Sequence, residues 1–151
     1  MGGAVKVRFA QVGDTDELVE MARVNAETRP NLQFNETRTR AAIASYLLNA
    51  QPTMWVAEKD GALYGLLVAD FYPYRYFDGL FTTQEVLFVK PEKRGTRAAT
   101  LLMRELIAWS KMLGAREIVG GNDNEHNSDR TARFLSHFGF RTVGHAMRLE
   151  L

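Results

Sequence analysis

The 151 residues are 46% hydrophobic, 25% charged and 11% aromatic, the balance of an ordinary globular domain with a sizeable core. The chain has no cysteine, which excludes disulfides, thiolate metal sites and a cysteine nucleophile. Nineteen Lys and Arg against eighteen Asp and Glu leave a net charge of +1, too even for a chain whose main business is coating nucleic acid or an anionic membrane, so any anion site must be local.

The opening Met-Gly-Gly-Ala-Val-Lys lacks an apolar run for secretion, and no apolar stretch approaches the roughly eighteen residues of a membrane span, so a cytoplasmic protein is expected. No repeat or low-complexity segment marks a boundary, and one domain over residues 1–151 is expected. Val5, Val7 and Phe9 alternate with Lys6 and Arg8, which predicts a first strand with one buried face. Asp14, with Glu17 three residues later, has the spacing of a capping box for a helix carrying Leu18, Met21, Ala22 and Asn25 on one face, ended by Pro30. A second helix follows Asn35, with Ile43, Tyr46, Leu47 and Ala50 inward, and stops at Gln51-Pro52.

Met54 to Lys59 and Ala62 to about Phe71 read as a hairpin turning at Asp60-Gly61. A further strand spans about Thr82 to Val89. The longest helix follows from Thr96 to Leu113, with Leu102, Leu106, Trp109 and Leu113 on one face and Gly114 as its stop. A short strand at Glu117 to Val119, a helix capped by Asn127 or Ser128 with Ala132, Leu135 and Phe138 inward, and a last strand from Phe140 to Leu151, bent at Gly144, complete the order βααβββαβαβ.

The chemistry concentrates where the Thr82–Val89 strand runs through Lys90-Pro91 into a small, basic turn at the start of the longest helix. Unpaired N–H groups at a helix start, helped by its dipole, favour an anion. Gly95, Ala98 and Ala99 keep bulk away from the backbone, while Lys93, Arg94 and Arg97 bring charge, so the turn is read as a phosphate site. It matches neither the Walker loop nor the dinucleotide glycine pattern. A solvated helix start is the bland alternative, but Lys and Arg are unfavourable at that end of the dipole.

Arg94-Gly95-Thr96-Arg97-Ala98-Ala99, after a strand ending Leu87-Phe88-Val89-Lys90-Pro91, resembles the acyl-CoA signature [QR]-x-x-G-x-[GA] of the GNAT superfamily of N-acyltransferases. Arg97 stands where the family usually has glycine. A second family pattern resembles Ser128 to Phe140, ending Phe138-Gly139-Phe140, with Leu135 in the place of the usual proton-donating tyrosine. The resemblance covers essentially the whole chain. It implies an α/β (α+β) fold: a central mixed, mostly antiparallel sheet flanked by helices and splayed between its fourth and fifth strands, with acyl-CoA in the cleft and Gly120-Gly121 at the parting.

The same resemblance implies acetyl transfer from acetyl-CoA to a small-molecule or peptide amine by direct attack. Pyrophosphate would sit on Lys93, Arg94, Gly95, Thr96, Arg97, Ala98 and Ala99, and pantetheine along Leu87, Phe88 and Val89, with the N–H of Leu87 or Phe88 polarising the thioester carbonyl. Asn122 and Asn127, with Asn124 between them, are candidates for further cofactor contacts, and turn formation or helix capping explains them equally well. Glu85, placed by period two on the face of Leu87 and Val89, is the candidate base acting through water; a solvent-face or salt-bridged glutamate is its bland counterpart.

His126, His137 and His145 lack metal-ligand spacing, so no metal is expected. The aromatic connection Phe71 to Leu80 is read as a packed loop, an acceptor wall or a dimer contact, and a homodimer is expected. Two other classes stand beside the enzyme. A module that binds acyl-CoA without turnover fits Leu135 and Arg97, while a nucleic-acid-binding accessory domain is disfavoured by the balanced charge.

Overall fold

Residues 3–121 and 128–151 are described by a computed structural model, whose backbone divides into two compact units, 1–120 and 121–151. In the first, five strands lie in the order β1 (Lys6–Phe9), β2 (Thr53–Lys59), β3 (Ala62–Pro73), β4 (Leu80–Val89) and β5 (Ile118–Val119). Neighbours are antiparallel except β4 and β5, which run parallel. The helices are α1 (Thr15–Ala26), α2 (Glu36–Leu48) and α3 (Ala98–Met112). This is the expected mixed, mostly antiparallel sheet flanked by helices.

Alternation along the central strands divides the core in two. Met54, Val56, Leu66, Val68 and Phe88 form one face with Leu18, Val19 and Met21 of α1 and Ile43 of α2. On the other face lie Trp55, Leu67, Ala69 and Phe71, near Leu102, Met103, Leu106 and Trp109 of α3. Trp109 meets Trp55 edge-on at 5.3 Å and Phe71 at 6.1 Å between centroids. The β2–β3 turn has Asp60 and Gly61 at φ 52° and 81°, the two left-handed residues of a tight hairpin.

Several expectations need correction. β1 has no clean buried face: Phe9 is exposed while Arg8 is half-buried, because Arg8 is held by Asp14 at 2.8 Å and Glu58 at 3.2 Å. That contact also removes the capping box. The Asp14 carboxylate accepts from Arg8 and the Gln11 N–H rather than capping α1, and Glu17 instead pairs with Lys90 at 3.1 Å. Asn35 caps α2 as its side chain allows, accepting the Arg38 N–H at 2.8 Å, but α2 ends at Leu48 and leaves Ala50 exposed.

In the second unit α4 (Ser128–Ser136) buries Leu135, and Phe134 contacts Phe138 at 5.2 Å. Ala132 is exposed rather than inward. Phe140 to Leu151, expected as the last strand, forms no strand among the described residues, and Val143, Met147 and Leu149 are exposed. Alternation supplies only one face of a strand; without a neighbouring backbone to complete the ladder, the pattern alone does not make one.

Candidate functional site

β4 and β5 pair at only two positions, Thr82 with Ile118 and Thr83 with Val119. Beyond Thr83 the β5-side edge of β4 has no strand beside it among the described residues. Ladder parity shows which groups occupy that edge. The Lys90 N–H donates to the Tyr64 carbonyl of β3 at 2.9 Å, and antiparallel residues alternate in direction. Phe88 and Val86 therefore direct their N–H groups toward β3, whereas Leu87 and Val89 direct theirs to the open edge. Thr82, donating outward to the Glu117 carbonyl at 3.1 Å, has the parity required at the other end. Of the two expected carbonyl-polarising groups, Leu87 has its N–H on the open edge. Phe88 has its N–H in the β3–β4 ladder and its ring in the core beside α1.

The strand then passes through a 3₁₀ turn, Pro91–Lys93, into the start of α3. Helix geometry begins at Ala98, two residues later than the sequence suggests, because Arg97 takes the cap position and Thr96 folds back, its Oγ1 donating to the Lys93 carbonyl at 2.7 Å. The Ala98 N–H reaches Thr96 Oγ1 at 3.3 Å and Leu101 makes the first regular helical bond to Arg97. The N–H groups of Ala99 and Thr100 have no acceptor among the described residues. Gly95 sits at φ 84°, where side chains are strained, and faces open space: a Cβ there would meet no atom within 4 Å.

Arg94, Gly95, Thr96 and Arg97 are exposed, Ala98 is buried and Ala99 half-buried. Lys93 lies over the Tyr64 ring, with Nζ 4.6 Å from the centroid. Asn122, Asn124 and Asn127 lie outside the described residues. A cavity of about 400 Å³ between α1 and the end of β4 is lined by Glu17, Glu20, Met21, Phe88, Lys90 and Glu92, among others. Lys90 already engages Glu17 there and Arg23 engages Glu20.

Glu85 is not on the face of Leu87 and Val89. The β3–β4 register slips between Val68 and Ala69, so Val68 opposes Val86 while Asp70 opposes Thr83, and one extra β4 residue is accommodated. Thr83, Val86 and Phe88 thus face α1 and α2, and Leu87 and Val89 turn to the α3 face. Glu85, at the bulge, accepts from Thr83 Oγ1 at 2.6 Å and from the Tyr72 hydroxyl at 3.4 Å.

This exposes a cluster that sequence reasoning missed. Asp70 of β3 is only 8% exposed and accepts the Phe71 N–H at 2.8 Å and the Tyr72 hydroxyl at 3.0 Å. The Tyr72 phenol is pushed up to about 12, first by its bond to Asp70, then by desolvation and the nearby carboxylates. Tyr46 of α2 is raised by burial and by the charges of Glu85 and Asp70. The signal was a lone carboxylate in the apolar run Leu66-Leu67-Val68-Ala69-Asp70-Phe71. Tyr72, Phe81 and Tyr74 continue it as a row of rings 5.7 and 5.1 Å apart, with the Tyr74 hydroxyl donating to Glu117 at 2.6 Å.

Among the described residues no group of three His, Asp or Glu side chains is placed to hold a metal, and no helix is long and apolar enough to cross a membrane. No curated protein matches the chain in sequence. Solved structures do match in fold. A transcriptional regulator from Bacillus halodurans C-125 aligns with a TM-score of 0.84 at 20% identity, over 97% of this chain and 99% of that one. An acetyltransferase from Trypanosoma brucei gives 0.76 at 19% identity over 97% and 99%. A Clostridium acetobutylicum protein described as a predicted acetyltransferase, solved with acetyl-CoA, gives 0.75 at 17% identity over 97% and 96%. The model of the acetyltransferase (GNAT) domain matches residues 50–142, which span the β2–β3 hairpin, the open edge of β4 and the turn into α3. With that match over more than half its length, the chain belongs to the GNAT acetyltransferase family.

Proposed function

We propose that the protein is an N-acetyltransferase that moves the acetyl group of acetyl-CoA to a primary amine by direct attack, its two compact units serving one acyltransferase domain. The observation that carries this reading is the continuity of the open β4 edge with the Gly95 turn. Two outward N–H groups, at Leu87 and Val89, lead into a helix start whose Ala99 and Thr100 N–H groups lack acceptors among the described residues and whose Gly95 faces open space. Such a start fits a pyrophosphate, with Arg94 and Arg97 beside it. Lys93, Thr96 and Ala98 shape the same turn, and Asn122 and Asn127, outside the described residues, are proposed as further cofactor contacts.

Acetyl-CoA supplies an activated thioester carbonyl. The Leu87 N–H, fixed in the sheet and directed to the open edge, is the proposed donor to that carbonyl oxygen and needs no reorganisation as charge develops there. Glu85 is the proposed base, since an amine of ordinary basicity must lose its proton before it can attack. Holding both reactants on one edge supplies the proximity that a direct transfer requires. No metal takes part, and no nucleic acid or membrane is required. We further infer a cytoplasmic homodimer contacting through the β3–β4 loop, where Tyr76 and Phe77 are 83% and 75% exposed.

A second reading, a module that binds acyl-CoA without turnover, is favoured by Leu135, a buried residue without a hydroxyl in the position of the family's usual proton donor. One experiment separates the two. Acetyl-CoA is incubated with the protein and a panel of diamines, aminoglycosides, amino acids and peptides while thiol release and product mass are followed. Amine-dependent acetyl transfer supports the enzyme. Stabilisation by acetyl-CoA with no acetylated product from any amine establishes the binding module, and no stabilisation at millimolar acetyl-CoA removes both.

A further inference from the structure

We propose that Tyr72 and Asp70 are positioning residues for the transfer, acting through Glu85. Tyr72, anchored on the buried Asp70 carboxylate, together with Thr83 holds one oxygen of Glu85 so that the other faces the acceptor amine. This inference rests on the reading of Glu85 as the base.

Both hydrogen bonds to Glu85 fall on the same oxygen. Thr83 Oγ1 donates to Oε1 at 2.6 Å and the Tyr72 hydroxyl lies 3.4 Å from it, while Oε2 has no partner among the described residues. An exposed glutamate ordinarily samples several rotamers. The short bond from Thr83, joined by the Tyr72 hydroxyl that is shared with Asp70, restricts this one.

The support behind Tyr72 is costly in isolation. Asp70 is almost fully buried, and neither Asp70 nor Glu85 forms an ion pair among the described residues. Burying a carboxylate beside a second carboxylate with no cation costs stability, and an asparagine or an apolar residue would serve a purely structural role in β3 better. Such departures from the stable choice collect at functional sites. Among the described residues, Tyr72 from β3 and Thr83 from β4 contact the Glu85 carboxylate, Asp70 stands behind Tyr72, and Tyr46 of α2 feels the charge of both carboxylates.

The chain of bonds also accommodates the proton that Glu85 would take up. The acceptor ammonium loses one proton, through water, to Glu85, and the amine keeps the electron pair with which it attacks the thioester carbon. The Tyr72 hydroxyl has one proton, which it shares between Asp70 Oδ2 at 3.0 Å and Glu85 Oε1 at 3.4 Å. The proton lost by the ammonium arrives on Oε2, the oxygen facing the acceptor, so Oε1 remains an acceptor for Thr83 Oγ1 and the Tyr72 hydroxyl. The hold on Oε1 therefore survives protonation of Glu85 without a side chain moving.

The test combines steady-state kinetics with a tyrosine titration on Tyr72→Phe, Asp70→Asn, Glu85→Gln and the double variant Tyr72→Phe/Glu85→Gln. Tyr72→Phe is expected to lower kcat by about 10- to 100-fold, the scale of a misplaced catalytic group, with KM for acetyl-CoA unchanged. The double variant is expected to be no slower than Glu85→Gln alone, because Tyr72 acts only through Glu85. In ultraviolet titration the Tyr72 phenol, identified by difference from Tyr72→Phe, should fall from about 12 toward an ordinary value in Asp70→Asn. If Asp70→Asn does not fold, Tyr72→Phe and the double variant decide alone. Full activity in Tyr72→Phe while Glu85→Gln is slow overturns this inference and leaves the base standing; full activity in Glu85→Gln overturns the base itself. Multiplicative losses in the double variant show that Tyr72 acts apart from Glu85 and likewise overturn the inference.

Discussion

Thr82 of β4 and Ser110 of α3 share a 2.6 Å hydrogen bond between their hydroxyls, and both residues are buried. Thr82 is also where β4 begins its brief pairing with β5, so this bond ties α3 to the strand at the point where the sheet opens. Thr82→Val keeps the shape and strands the Ser110 hydroxyl, which costs about 1–3 kcal/mol. Adding Ser110→Ala should recover part of that loss by removing the orphaned group. Urea denaturation of the two single variants and the double variant checks both statements, and additive losses would show that the hydroxyls are solvated independently.

The Arg8–Asp14 pair makes stability depend on acid. Asp14 is held below the usual carboxylate range, first by its bonds to Arg8, with the Gln11 N–H adding to the effect against the opposing cost of burial. A folded-state value below the unfolded one contributes stability that is present above the unfolded value, near pH 4, and disappears as pH falls through the folded value. Asp14→Asn should therefore destabilise the fold at pH 7 by about 1.5–3 kcal/mol, with the gap to the parent closing below pH 4. Thermal scans at pH 7, 5 and 3 measure it; a constant gap would mean that Asp14 acts through packing alone.

If the α3 start holds pyrophosphate, acetyl-CoA at a hundredfold excess over Kd should stabilise the fold by about 2.7 kcal/mol. At this chain length that is roughly 5–10 °C in Tm. Gly95→Val places a branched side chain at φ 84° in the open space before the helix. It should lower Tm modestly through backbone strain and abolish the acetyl-CoA shift. A retained shift locates the phosphates elsewhere.

Glu85→Gln should preserve the acetyl-CoA shift while lowering kcat/KM by about 100-fold or more near neutral pH. The deficit should narrow as the pH approaches the acceptor's own pKa, because the free amine no longer needs a base. A uniform loss at every pH would assign Glu85 to positioning of the acceptor.

The β3–β4 loop carries the proposed dimer contact. Tyr76→Ser/Phe77→Ser removes two exposed rings and should shift sedimentation toward the monomer, leaving Tm nearly unchanged because neither ring is buried within the chain. An unchanged dimer places the interface on another face, and a monomeric parent protein removes the proposal.

Local chemistry along the sequence was sufficient for the elements that depend on their own residues. The alternating runs of β2 and β3, the left-handed Asp60-Gly61 turn, the Asn35 cap and Gly95 at the start of α3 follow from steric and hydrogen-bonding preferences expressed over a few positions. What required the tertiary structure were the choices made by partners distant in sequence. Asp14 bonds Arg8 rather than capping α1, and Phe140 to Leu151 finds no ladder among the described residues. One extra residue in β4 moves Glu85 away from the face of Leu87 and Val89 and toward Tyr72 and Asp70. A single inserted residue reverses the parity of everything beyond it, and its position is set by register against β3 rather than by any preference of the β4 residues themselves.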